Sequence, residues 1–129
     1  MSARFKPPEE WFKQAEYDFE TANAMFETGR YIYAVFMCHL SIEKALKGLY
    51  AQKFKQDPSK IHNLNYFCEK IDLQPPEEIQ IFIDKLNSLS VPTRYPDELD
   101  KLMKDYKKDL TKNIVDHAKE LLLWLKKKL

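Results

Sequence analysis

The chain has 129 residues, 44% hydrophobic and 32% charged, with a formal net charge of +1. That length suits one domain with a continuous core and no need of staples, and the composition excludes a disordered chain. The near-neutral balance excludes the strong basic excess of a typical nucleic-acid binder, and no stretch approaches the ~18 consecutive apolar residues of a membrane span.

The chain contains only two glycines, Gly29 and Gly48, too few for many short strands joined by tight turns, so long helices are expected. Pro7-Pro8 opens a first helix, with Glu9 and Glu10 where carboxylates complement the helix dipole. Its apolar stripe reads Trp11, Ala15, Ala22, Met25 and Phe26, flanked by Phe12 and Phe19, and Gly29 is its expected left-handed cap. A second helix spans about Tyr31 to Lys55, apolar over more than half its circumference, and belongs at the bundle centre. Gly48 inside it costs roughly 1 kcal/mol against alanine, which points to a close helix crossing.

Asp57-Pro58-Ser59 breaks the chain, and a third helix is expected from about His62 to Lys70. Pro75-Pro76 starts a fourth, with inner face Ile79, Phe82, Ile83 and Leu86, ending near Leu89. Two prolines in Val91-Pro92-Thr93-Arg94-Tyr95-Pro96-Asp97 predict an extended, rigid loop. Asp97 is the expected N-cap of a short turn or helix reaching Tyr106. The last helix runs from near Lys108 to the end on Ile114, Ala118, Leu121, Leu122 and Leu125. The fold predicted is all-α: residues 1–129 as a single antiparallel four-helix, up-and-down bundle with an additional short helix.

Chemistry is sparse. Cys38 and Cys68 match no metal-ligand spacing and read as free buried thiols of a reducing compartment. No apolar run follows a basic start, so no signal peptide and a cytoplasmic, membrane-free protein are expected. No metal and no cofactor is expected, because His39, His62 and His117 lie on three different elements without ligand spacing, and no phosphate loop, dinucleotide fingerprint or nucleophile elbow is present. The Lys126-Lys127-Lys128 run reads as a solvated helix end.

Four places stand out. Asp18 lies on the apolar stripe of the first helix, where a carboxylate needs a partner: a structural salt bridge or a site acid. Glu43 and Lys47 are four residues apart on a face shared with Phe36, Leu40 and Tyr50, so they form either a helix-stabilising pair or a phosphate-receiving lysine positioned by a glutamate. His62 is placed in the first turn of the third helix. Arg94, between two prolines, is pre-organised for bidentate phosphate or carboxylate contact, or else it locks its loop by pairing with Asp18, Glu43 or Asp97.

The order of these features carries a resemblance. Trp11, Ala15, Asp18 and Ala22 lead to Gly29-Arg30-Tyr31, Ala34 and Phe36. Then come His39-Leu40-Ser41-Ile42-Glu43-Lys44-Ala45-Leu46-Lys47, His62-Asn63-Leu64 and Arg94-Tyr95-Pro96-Asp97. Over nearly the whole chain this resembles the HEPN family of small helical domains. The resemblance implies a homodimeric bundle associated with a small nucleotidyltransferase in toxin–antitoxin-like pairs, and nucleotide binding. Some members are metal-independent RNases that place a histidine four to six residues after an arginine. Here those windows hold Pro8, Glu9 and Glu10 after Arg4, Ala34, Val35 and Phe36 after Arg30, and Glu98, Leu99 and Asp100 after Arg94. The RNase motif is absent, and no catalytic residue is assigned.

Three readings follow. The first is a binding module for a nucleotide, a nucleotidyltransferase partner or both, with Arg94 and Lys47 on phosphate, Tyr95 stacking on a base or walling the groove, and Glu43, His62 and Asp18 around them. The second is an RNase using a non-standard set such as His62 with Arg94. The third is a structural adaptor whose aromatics dock a partner chain.

Overall fold

The computed structural model describes residues 4–129. Among them are six helices and no strand: α1 (Pro8–Glu27), α2 (Tyr31–Phe54), α3 (Leu64–Lys70), α4 (Glu77–Arg94), α5 (Leu99–Asp105) and α6 (Lys108–Lys126). Two of the six, α3 and α5, are short, and they fall where the sequence places its third helix and its short turn or helix before Tyr106. No helix is long and apolar enough to cross a membrane.

α1 ends in a Schellman turn. The Arg30 N–H donates to Met25 O at 2.7 Å and the Gly29 N–H to Phe26 O at 3.1 Å, with Gly29 at φ +77°, a conformation that costs an L side chain strain. This reverses the chain, and α2 packs antiparallel to α1. The crossing is closest at Gly48, where a Cβ would lie 3.0 Å from Phe12 Cδ2 and from Trp11 Cβ. The buried face of α1 is therefore Phe12, Ala15, Asp18, Phe19 and Ala22. It is rotated from the predicted stripe, because Trp11, Met25 and Phe26 are only partly buried.

α2 is the central helix, with fourteen buried residues from Ile32 to Ala51. α4 runs antiparallel to it, with Asn87 beside His39 and Arg94 reaching Phe36. α6 in turn runs antiparallel to α4, as Tyr106 at its entry reaches Leu89 and His117 stacks on Phe82. At its far end Lys126 meets Glu16 of α1 at 2.9 Å, and Gln52 of α2 donates to Lys128 O at 3.0 Å. The four long helices thus alternate in direction around a core built of Phe12, Ile42, Leu46, Phe67, Leu86, Ile114 and Leu125.

Three sequence expectations need correction. The segment from Val91 is not an extended loop, since α4 continues through Pro92 to Arg94. Proline removes one backbone donor from the helix and leaves carbonyls without partners. Side-chain hydroxyls take up neighbouring carbonyls instead: Ser90 Oγ donates to Asn87 O, Thr93 Oγ1 to Ser90 O, and Tyr106 Oη to Leu89 O. The N-cap of α5 is Glu98 rather than Asp97. His62 precedes the N-cap of α3, which is Asn63, whose side chain accepts the Asn65 N–H at 2.9 Å.

Candidate functional site

Where α2, α4 and the approach to α3 meet, polar side chains converge on one buried carboxylate. Glu43 is 3% exposed, and four cationic or imidazole groups surround it. Lys47 Nζ donates to Oε2 at 3.0 Å, one helical turn along. His62 Nδ1 lies 3.0 Å from Oε1. Arg94 Nη2 stands 3.7 Å and His39 Nδ1 3.8 Å from the same oxygen, beyond hydrogen-bonding range. The Arg94 guanidinium lies over the Phe36 ring at 4.9 Å, and Lys47 Nζ is 5.4 Å from the Phe67 centroid. These aromatic faces hold both cations without neutralising them.

Asn87 fixes the histidine behind this cluster. Its Oδ1 accepts the Leu64 N–H at 3.2 Å, and its Nδ2 donates to Asn63 Oδ1 at 2.8 Å. The atom facing His39 Nε2 at 3.1 Å is therefore an oxygen, and His39 carries its proton on Nε2. Burial pushes the His39 pKa below the ordinary histidine value, a desolvation effect that the Asn87 bond and the Glu43 charge oppose. Burial thus favours the neutral form of His39, and the one carboxylate of Glu43 faces the Lys47 ammonium and the Arg94 guanidinium. One carboxylate balances one of the two permanent cations, which leaves a positive surplus.

That surplus borders an open pocket of 320 Å³ lined by His39, His62, Asn63, Asn87, Ser88, Ser90, Val91 and Arg94. No acidic side chain is among them. Arg94 keeps 23% of its side chain exposed and His62 57%. The pocket offers donors from an arginine and an asparagine-braced wall, and an imidazole whose Nδ1 is held on a buried carboxylate. Such a surface suits an anionic oxygen ligand. Among the described residues, no group of three or more His, Cys, Asp or Glu is placed to hold a metal ion.

The structure brings together Glu43, Lys47, His62 and Arg94 of the residues singled out in the sequence. It does not bring Asp18 there: that carboxylate lies on the α1 side of α2, with Lys44 Nζ at 2.8 Å from its Oδ2. Nor does Tyr95 line the pocket, being 89% exposed just past the end of α4. Lys47 is buried against Glu43 and is likewise not among the lining residues. His39, weighed in the sequence only as a metal ligand, and Asn87 and Ser90 were not predicted at this site. His39 sits four residues before Glu43 on the same face, and Asn87 and Ser90 continue the stripe of Ile83 toward Arg94 at helical spacing.

The chain is thus an all-helical bundle with an arginine and a histidine set around one buried glutamate. The HEPN domain model matches residues 8–129, and the chain belongs to the HEPN domain family. Two solved structures are similar to it. One is the crystal structure of TT1696 from Thermus thermophilus, with a TM-score of 0.83 and 25% identity over 95% of this chain and 98% of that one. The other is that of ST0689, an archaeal HEPN homologue, with a TM-score of 0.76 and 28% identity over 96% of this chain and 98% of that one. No curated protein matches the chain.

Proposed function

We propose that this HEPN domain is a nucleotide-binding module that acts as a homodimer beside a nucleotidyltransferase partner, in the manner of a toxin–antitoxin pair. One observation carries the nucleotide reading: Arg94 and His62 border a pocket free of acidic side chains, while Glu43 behind them is already matched by Lys47. A phosphate entering there meets a guanidinium with open donors and a net positive field. The 320 Å³ volume lies at the lower end of ligand pockets, about 300–1,000 Å³, and suits the phosphate and sugar end of a nucleotide. The dimer and the nucleotidyltransferase partner rest on the family resemblance. Calorimetric titration with ATP tests the nucleotide site. Saturable binding that Arg94→Ala loses, with folding intact, supports it, and a folded wild type that takes up no nucleotide contradicts it.

A second reading has its own observation. His62 keeps Nδ1 on Glu43, which directs the other ring nitrogen away from the carboxylate, and Arg94 approaches the same glutamate oxygen. An oriented imidazole beside a guanidinium is a general acid–base arrangement that can cleave a phosphodiester without a metal. RNA cleavage by the purified protein, abolished by His62→Ala, would establish this reading, and an inactive wild type removes it.

A further inference from the structure

A second concavity, sharing no lining residue with the Arg94 pocket, lies where the entries of α2 and α6 meet α5. It measures 400 Å³. Its floor is apolar, formed by Tyr31, Tyr33, Leu99, Met103 and Tyr106. Three of these are large side chains left in solvent: Tyr33 is 56% exposed, and Leu99 and Met103 are 55% exposed each. Leu99, Met103 and Tyr106 recur at spacings of four and three along α5 and its end, which puts them on one side. Asp97, Glu98 and Asp105 line a neighbouring hollow, which shares only Pro96 with the groove.

The rim has one sign of charge. Arg30, Lys107 and Lys108 line the groove, and no aspartate or glutamate does. Arg30 is the N-cap of α2 and Lys107 that of α6, and neither cap makes a side-chain hydrogen bond. Cations at a helix N-terminus add to the positive end of the dipole, and Asp109 in the first turn of α6 does not line the groove, so the rim presents a positive field to an anion. Methionine, tyrosine and arginine at an exposed apolar depression are the composition of a protein–protein hot region.

We propose that this groove docks an acidic, apolar-rich segment of a partner protein. The segment's leucine- or phenylalanine-type side chains rest on Tyr33, Leu99 and Met103, and its carboxylates meet Arg30, Lys107 and Lys108. A second copy seated by a two-fold axis would face like cations with like, which disfavours this chain as its own occupant. A nucleic acid would match the cations and could stack a base on Tyr33, but it would leave the exposed aliphatic surface of Leu99 and Met103 uncovered, which apolar side chains of a protein segment cover.

The test is selection of random peptides displayed on phage against the full chain. The selected pool should be enriched in Asp and Glu together with Leu, Phe or Trp. Binding of a selected peptide, followed by fluorescence anisotropy, should weaken at least about tenfold in Met103→Glu and in the Lys107→Glu/Lys108→Glu double variant. It should survive Lys107→Arg/Lys108→Arg and Arg94→Ala, which separates this surface from the nucleotide site. Circular dichroism confirms the fold of each variant. A pool without acidic enrichment, no selectable peptide, or binding that persists after charge reversal overturns the proposal. So does a dimer in light scattering that Leu99→Glu converts to a monomer, which would assign the groove to a second copy.

Discussion

Two carboxylates are buried on opposite sides of α2, and they are handled differently. Asp18 reaches one cation, Lys44, at 2.8 Å, and Lys44 keeps part of its side chain in solvent. That single ion pair is one cation for one carboxylate, although Oδ2 makes no hydrogen bond of regular geometry. Glu43 is shared among Lys47, His62, Arg94 and His39, two at hydrogen-bonding distance and two beyond it. A carboxylate with more cationic neighbours than it can neutralise leaves charge for a visitor, whereas a matched pair does not. The difference separates a fastening from a site, although both residues look alike in sequence.

Substitutions can break the comparison from either side. The largest loss of stability is expected for Glu43→Ala, about 3–5 kcal/mol in chemical denaturation, because Lys47 would stay buried without a counter-charge. On the Asp18 side of α2, packing rather than charge dominates. Gly48→Ala would push a Cβ against Phe12 and Trp11 Cβ and should cost about 1–3 kcal/mol. Asp18→Asn should cost less than Glu43→Ala, about 1–2 kcal/mol, because Lys44 can extend its amine to water. Equal losses for Asp18→Asn and Glu43→Ala would erase the distinction drawn here.

A smaller effect sharpens it through pH. His39 has a folded-state pKa below its ordinary 6.5, so the unfolded chain binds more protons in that window. Stability contributed by neutral His39 is therefore present above pH 6.5 and is lost as pH falls through the folded-state value, by at most about 1.4 kcal/mol per pH unit for one proton. In urea melts across this range, His39→Gln should lose less stability on acidification than the wild type. Parallel curves would show that His39 does not titrate as its burial implies. Least affected should be the thiols at neutral pH. Burial pushes Cys38 up to about 12 and Cys68 up to about 11, so both should resist a thiol reagent in the folded protein and react fully in denaturant.

Much of the fold was legible because periodicity and punctuation agree. The apolar stripes of α2 and α6 are buried as read, and Gly29 caps α1 as its place in the sequence suggests. Pro92 misled, because the rule that proline ends a helix is local, while the hydroxyls that make it tolerable come from Ser90, Thr93 and the distant Tyr106. At the site, the Glu43–Lys47 pair was legible from its spacing on one helix, whereas its convergence with His62 and Arg94 depends on how α4 and the approach to α3 pack on α2. Asn87, which orients His39, lies 48 residues from it and has no local signature beyond its place on the α4 stripe. Tyr95 entered through the Arg94-Tyr95-Pro96-Asp97 segment of the family resemblance, but successive residues at a helix end point in different directions.

The most direct measurement is a side-by-side calorimetric titration of ATP into wild type, Arg94→Ala and Asp18→Asn, each first shown to be folded by its thermal melt. Saturable binding is expected for the wild type and for Asp18→Asn, and its loss in Arg94→Ala with little change in melting temperature. Binding retained by Arg94→Ala, or lost equally in Asp18→Asn, would contradict the placement of the site at Glu43 and Arg94.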